Sequence, residues 1–240
     1  MRANWAILLL AMIGPTVAAQ VYFVMLASTG QSPAEANAAL QISYFGSKAV
    51  QFALPVVWLG WWQGQRLRPT KPNFDGLALG LGFGLLVVAA MLGLYFGELR
   101  DSPLLAGTPA RLRLKVAEYG MATPFRFILM GAFISFIHSL LEEYYWRWFV
   151  FGELRKLMPV TFAIVVSSFA FMGHHVVVLA VYFPEKFWTA AVPFSLAVAI
   201  GGMVWAWLYH RTGSIWSAWL SHLVIDVGIM ILGYDLLFCR

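Results

Sequence analysis

Glu142 and Glu143 stand side by side in the stretch His-Ser-Leu-Leu-Glu-Glu-Tyr-Tyr-Trp-Arg-Trp, residues 138–148, and Arg147 follows four residues after the second carboxylate. Residues four apart share a helix face, so Glu143 and Arg147 are spaced for an ion pair, and His138 and Glu142 make a second such pair. Glu142 is rotated by about 100° from Glu143. This allows one carboxylate to be neutralised by the arginine and the other to remain free, and a carboxylate taken out of water suits general-base work near neutral pH. Further along come His174 and His175, adjacent and so on different sides of a helix, of which one need face a site. Last come His222 and Asp226, again four apart. Such a pair serves as metal ligands, as a proton relay or as an oxyanion-stabilising pair. Each group also has a plain structural role: an interfacial charge pair flanked by Trp146 and Trp148, a histidine bonded across helices, or a buried polar pair.

The elements that must hold these groups are read from composition. Of 240 residues, 61% are hydrophobic and 11% charged, whereas soluble domains run near half apolar and about a quarter charged. The expected fold class is an all-α polytopic membrane protein, a single integral membrane domain over 1–240. Apolar runs cover 5–26, 42–62, 76–96, 127–151, 160–183, 187–209 and 215–238, giving about seven to eight transmembrane helices with the site in a cavity among the later ones. Residues 1–125 supply N-terminal helices and a connection, and 126–238 the catalytic core. The first run continues past the small residues Val17-Ala18-Ala19, as a retained helix does and a cleaved leader does not. Gly76, Gly80, Gly82 and Gly84 allow a close helix–helix approach. Residues 110–117, with Arg111, Arg113 and Lys115, read as an amphipathic segment at the interface.

The net charge of +5 lies in short segments between apolar runs, which is the pattern of topology signals and excludes a nucleic-acid surface. Arg2, Arg66, Arg68, Lys71, Arg155, Lys156 and Arg211 share one side if the spans alternate. That predicts a cytoplasmic N-terminus and, with seven spans, an external C-terminus. The basic connection 97–125 opposes this assignment. Cys239, the single cysteine, forms no internal disulfide and no cysteine metal site. Lys48, Glu98, Asp101, Glu185 and Asp235 are read as solvated near helix ends, and the tryptophans as packing and interface anchors.

Three separate spans thus bring carboxylate or imidazole groups into apolar surroundings, where each alone is costly. Together in one water-accessible cavity they form an active site or a transport pathway. The order Glu142-Glu143-x-x-x-Arg147, Phe171-x-x-x-His175, His222-x-x-x-Asp226 resembles the three motifs of the CPBP (ABI) group of intramembrane proteases, which includes type II CAAX prenyl endopeptidases and bacteriocin-processing or self-immunity proteins. The resemblance covers roughly 126–234. The family usually carries Asn or a related residue at the last position, where this chain has Asp226.

The resemblance implies an intramembrane endopeptidase acting on a membrane-associated protein or peptide. It implies that Glu142 and His175 activate water, that His222 and Asp226 stabilise the oxyanion, and that Glu143 and Arg147 give structural support. The phenylalanine register selects His175 over His174. A zinc ion on Glu142, His175 and His222 is chemically reasonable, but no HExxH helix is present and a metal-independent glutamate mechanism is preferred. The alternatives are a non-catalytic membrane regulator, scaffold or bacteriocin self-immunity protein, and a small proton-coupled carrier. The expected location is a prokaryotic cytoplasmic membrane.

Overall fold

Within a bilayer every backbone N–H and C=O must be satisfied inside its own segment, which leaves the helix as the form for runs such as 160–183. The computed structural model describes residues 2–25, 33–65 and 70–240, and among these it is helical without strands. Helix α1 spans Arg2–Gln20, α2 Pro33–Pro55 and α3 Phe74–Leu94. The short α4 covers Thr108–Glu118, and α5 is the long Pro124–Leu154. Then follow α6 Val160–Tyr182, α7 Val192–Thr212 and α8 Ile215–Phe238. The backbone of α2 continues helically through Val56–Trp62, and that of α3 through Tyr95–Leu99.

The breaks follow local chemistry. Asn73 caps α3 by accepting from the Gly76 amide at 2.9 Å, Thr123 and Ser214 cap α5 and α8 in the same manner, and Pro159 precedes α6. Gly213 closes α7 with φ +66°, a conformation that favours glycine.

Among the described residues, six helical segments are long and apolar enough to cross a membrane: Trp5–Val24, Phe74–Leu99, Pro124–Leu154, Val160–Tyr182, Pro184–Thr212 and Ile215–Phe238. The chain is therefore a polytopic membrane protein. The remaining expected span, 42–62, is helical as well, but Lys48 and Gln51 lower its apolar character. Tyr44 sits against Tyr22, and Phe52 against Tyr145, whose hydroxyl donates to the Ala11 carbonyl at 2.8 Å. Thus α2 runs antiparallel to α1. Arg66 and Arg68, which entered the topology argument, lie outside the described residues, as does the side chain of Arg2. The expected interfacial segment forms α4.

Among the described residues, the closest approach at a glycine joins α3 to α8. A Cβ at Gly80 would lie 2.1 Å from the Ser217 carbonyl oxygen, and one at Gly84 3.0 Å from that of Ser221. Gly76 meets Thr212 and Ser217, whereas Gly82 faces open space. Further along, Gly228 of α8 returns the arrangement, with Val88 and Met91 over it. At the far end Asp235 is not solvated as expected. Its Oδ2 accepts from the Tyr95 hydroxyl at 2.7 Å and from Arg100 Nε at 2.9 Å, and its Oδ1 accepts from Arg100 Nη2 at 2.9 Å. A tyrosine and an arginine beyond the end of α3 give that carboxylate the partners it would otherwise take from water.

The N-terminal helices are part of the same core. Leu8 and Ala11 of α1 and Trp58 and Leu59 after α2 are buried together with Tyr145, Phe149 and Phe171. Thr16 of α1 fills the space left by Gly173 of α6.

Candidate active site

Glu142 and Glu143 lie in the middle of α5, in a five-residue α-helical stretch, Ser139–Glu143, between wider helical turns at Phe133–His138 and Tyr144–Phe151. Wide turns of this kind recur at functional sites. Both carboxylates are buried, with Glu142 3% and Glu143 0% exposed. A buried carboxylate needs compensation, and the two find it differently.

Glu142 is surrounded by imidazoles from three helices. Its Oε1 lies 3.3 Å from His138 Nε2, one turn back on α5, and 3.4 Å from His174 Nε2 on α6. Its Oε2 lies 3.8 Å from His222 Nε2 on α8. No arginine or lysine nitrogen lies within ion-pair distance of it among the described residues. Glu143 instead carries the arginine: Oε1 lies 3.1 Å from Arg147 Nη1 and accepts from His222 Nδ1 at 2.7 Å. The division expected from helical spacing is present in the geometry.

Arg147 is 2% exposed, and neither of its terminal nitrogens has a well-aligned hydrogen-bond acceptor. Two aromatic faces take that place. The guanidinium carbon sits 4.5 Å from the ring centre of Phe171 and 4.9 Å from that of Trp205, an attraction worth up to ~2 kcal/mol each once desolvated. Trp205 also stacks on His222, with centroids 4.1 Å apart and planes 15° apart, while its Nε1 donates to Ser221 Oγ at 3.0 Å. One indole therefore positions both the arginine and the histidine. Its chain neighbours in α7 are apolar, so nothing in its spacing marked it out. Trp146 stacks in the same way on His174, with planes 10° apart.

The two adjacent histidines are both at the site, although only one of them needed to face it. Their ring centres are 4.1 Å apart. His174 is the one within 3.4 Å of Glu142. His175 Nδ1 donates to the Phe171 carbonyl at 3.1 Å, which fixes its tautomer and leaves the Nε2 lone pair free. The Phe171-x-x-x-His175 spacing has a backbone reason in that bond. At α8, His222 donates from Nδ1 to Glu143, so its Nε2 carries the lone pair in the neutral ring and donates only as imidazolium. That Nε2 lies 3.7 Å from Asp226 Oδ1. Thus Glu142, Glu143, Arg147, His175, His222 and Asp226 converge, joined by His138, His174, Trp146 and Trp205.

Ligand atoms of Glu142, His174 and His175 all lie within 4.8 Å of one another. Two imidazoles and a carboxylate are a donor set suited to Zn²⁺. This trio differs from the expected Glu142, His175 and His222 by taking His174 in place of His222.

No curated protein and no solved structure matches the chain significantly. A family model does: residues 124–228 match the one described as Rce1-like, type II CAAX prenyl endopeptidase. That segment runs from the start of α5 to the middle of α8 and contains all the carboxylates, histidines and aromatic supports just described. Over residues 124–228 the chain is thus similar to the CPBP, or CAAX-protease, family of membrane proteins.

Proposed function

We propose that the chain is an intramembrane endopeptidase of the CAAX-protease type that hydrolyses a peptide bond of a membrane-associated protein or peptide, with Glu142 as general base. The observation that carries this is a buried carboxylate with no arginine or lysine within ion-pair distance among the described residues, faced on both oxygens by imidazoles from three helices. Glu143, by contrast, has the Arg147 guanidinium beside it as well as the His222 imidazole.

In this mechanism Glu142 takes a proton from a water molecule as the water oxygen attacks the scissile carbonyl. The tetrahedral intermediate then collapses, and Glu142 passes the proton to the departing amine. His174, donating through Nε2, orients the Glu142 carboxylate. The free Nε2 of His175 assists by accepting from the same water. His222, protonated and held by Glu143 and Asp226, donates to the developing oxyanion, a contribution that is often among the largest in acyl transfer. Glu143 and Arg147 are positioning residues.

We favour a metal-independent glutamate mechanism. The Glu142, His174 and His175 donor set would also hold a zinc ion, which would supply a bound hydroxide at neutral pH. A prokaryotic cytoplasmic membrane with the N-terminus inside is the proposed setting.

The test is purified protein in lipid with a library of membrane-anchored peptides. Glu142→Gln and His175→Ala are expected to lower cleavage by at least about a hundredfold while leaving the thermal midpoint within a few degrees. Wild type that cleaves nothing yet retains a cellular effect abolished by Arg147→Met but not by Glu142→Gln sinks the peptidase reading in favour of a regulator or immunity protein. Activity lost to a chelator and restored by zinc reverses the metal-free preference.

A further inference from the structure

Lys48 is not at a helix end, where its place in the sequence suggested it would be solvated. It occupies the middle of the continuous helix made by Pro33–Pro55 and Val56–Trp62, about 20 Å from either end at 1.5 Å per residue. Helix α2 is antiparallel to α1, with Tyr44 on Tyr22, and with Phe52 and Ala11 meeting at Tyr145. Lys48 is therefore level with Thr16, which packs on Gly173, the residue before His174. The ammonium thus lies at the depth of the histidines around Glu142, and on the side of α2 that faces them. Its Nζ is 5.6 Å from the ring centre of Phe52, that ring is 6.4 Å from the His138 ring, and His138 Nε2 is 3.3 Å from Glu142 Oε1. Lys48 is close enough for its charge to act on both Glu142 and His174.

An ammonium at that depth calls for an anion, and α2 supplies none. Among the described residues Lys48 has no carboxylate within ion-pair distance, and its side chain donates to a neutral acceptor, Gln51 Oε1, at 3.2 Å. That bond sets the amide. With Oε1 turned to the ammonium, both N–H groups of Nε2 are left for another acceptor. Gln51 is 8% exposed, and its Nε2 has no partner. Leaving a buried amide donor empty costs about 1–3 kcal/mol, and an unmatched charge in apolar surroundings costs more. An ammonium and an amide N–H therefore stand together beside the candidate active site without the acceptor that both require.

We propose that Lys48 and Gln51 bind a carboxylate of the substrate peptide while Glu142 acts on the scissile bond. A carboxylate accepts from ammonium and amide at once, and bonds between ionised groups are the stronger kind. A backbone carbonyl would satisfy Nε2 and leave the ammonium unmatched. A lipid phosphate stays at headgroup level, whereas this pair sits in the middle of its helix. The carboxylate belongs to an acidic side chain or to the C-terminus of the peptide, which present the same two oxygens. This inference rests on the peptidase reading and carries it to residues outside the 124–228 match. Lys48 and Gln51 determine specificity in it.

The test uses single-span peptides of one sequence: a free C-terminal carboxylate, an amidated end, and an amidated set with one Asp at successive positions. Binding is read on full-length Glu142→Gln in lipid nanodiscs, where no turnover intervenes, and cleavage on the chain with Glu142 intact. A carboxylate peptide is expected to bind at least about tenfold more tightly than the neutral one. Lys48→Met in the same background abolishes that ratio, and Gln51→Leu reduces it. In cleavage, Lys48→Met raises KM for the carboxylate peptide and not for the neutral one. Its thermal midpoint does not fall, because an unmatched charge is removed and no pair is broken. Tighter binding of the free-terminus peptide alone assigns the carboxylate to the C-terminus, and tighter binding of an Asp peptide assigns it to a side chain. A ratio that survives Lys48→Met overturns the proposal, as does a variant that weakens all peptides alike. If the chain with Glu142 intact cleaves nothing, the peptidase reading fails by itself. The carboxylate site then stands on Lys48-dependent binding or falls with its absence.

Discussion

Glu143 Oε1 serves two partners at once, His222 on α8 and Arg147 on its own helix. Through Arg147 and the rings of Phe171 and Trp205, the charge is coupled to α6 and α7 as well. Removing either member leaves a buried charge without compensation, at a cost of about 3–5 kcal/mol. Glu143→Gln and Arg147→Met are each expected to lower the thermal midpoint sharply, and the double variant to lose much less than their sum. Strict additivity in that double-mutant cycle would show that the two groups do not act as a pair. The i, i+4 spacing made this pair legible in the sequence, along with His138 and Glu142. The bond from Glu143 to His222 was not legible, because 79 residues separate them and no local period reports a contact between helices. His174 was passed over because the phenylalanine register selected His175, whereas His174 is the one whose Nε2 lies 3.4 Å from Glu142.

At the scale of elements, the contact of α3 with α8 rests on three glycines rather than four. Gly80→Ala forces a methyl group into the Ser217 carbonyl, a backbone atom that does not yield as a flexible side chain would, and overpacking of this kind costs about 1–3 kcal/mol or more. Gly82→Ala meets nothing. The first variant is expected to lose several degrees in thermal midpoint and the second to lose none. Equal effects in the two would mean that helix flexibility, rather than close approach, is what the glycines provide. Residues two apart point to nearly opposite faces, so Gly76, Gly80 and Gly84 form the stripe and Gly82 stands outside it. That distinction was available in the spacing. What it packed against was not, because Ser217 and Ser221 are ordinary small residues until α8 is laid alongside.

For the whole molecule, the helix directions bear on topology. Thr16 lies at Gly173, and Ala18, Ala19 and Tyr22 pack near Val177, so α1 and α6 run parallel. Helices α6, α7 and α8 alternate through short turns. The start of α1 and the end of α8 are therefore at opposite ends of the bundle. Cys239 is exposed beyond α8 and is the single cysteine of the chain, which makes it a native reporter. With the N-terminus inside, a membrane-impermeant maleimide is expected to label Cys239 in intact cells and not to label Cys239→Ser. Labelling only after permeabilisation reverses the orientation. The apolar runs made the class and six of the spans legible. The side on which the ends lie stayed ambiguous because the seventh helix carries Lys48 and Gln51 and because α4 adds positive charge at the other end.

The seam between α3 and α8 is fastened along its whole length. Glycine contacts hold one end, Gly228 under Val88 and Met91 the middle, and Asp235 with Tyr95 and Arg100 the other end. A bundle fastened in this way has a wall there, and a wall is where a peptide does not come in. If Glu142 acts on a chain arriving sideways through the bilayer, the doorway opens between another pair of helices. On that account, a cross-link pinning α3 to α8 would leave turnover intact.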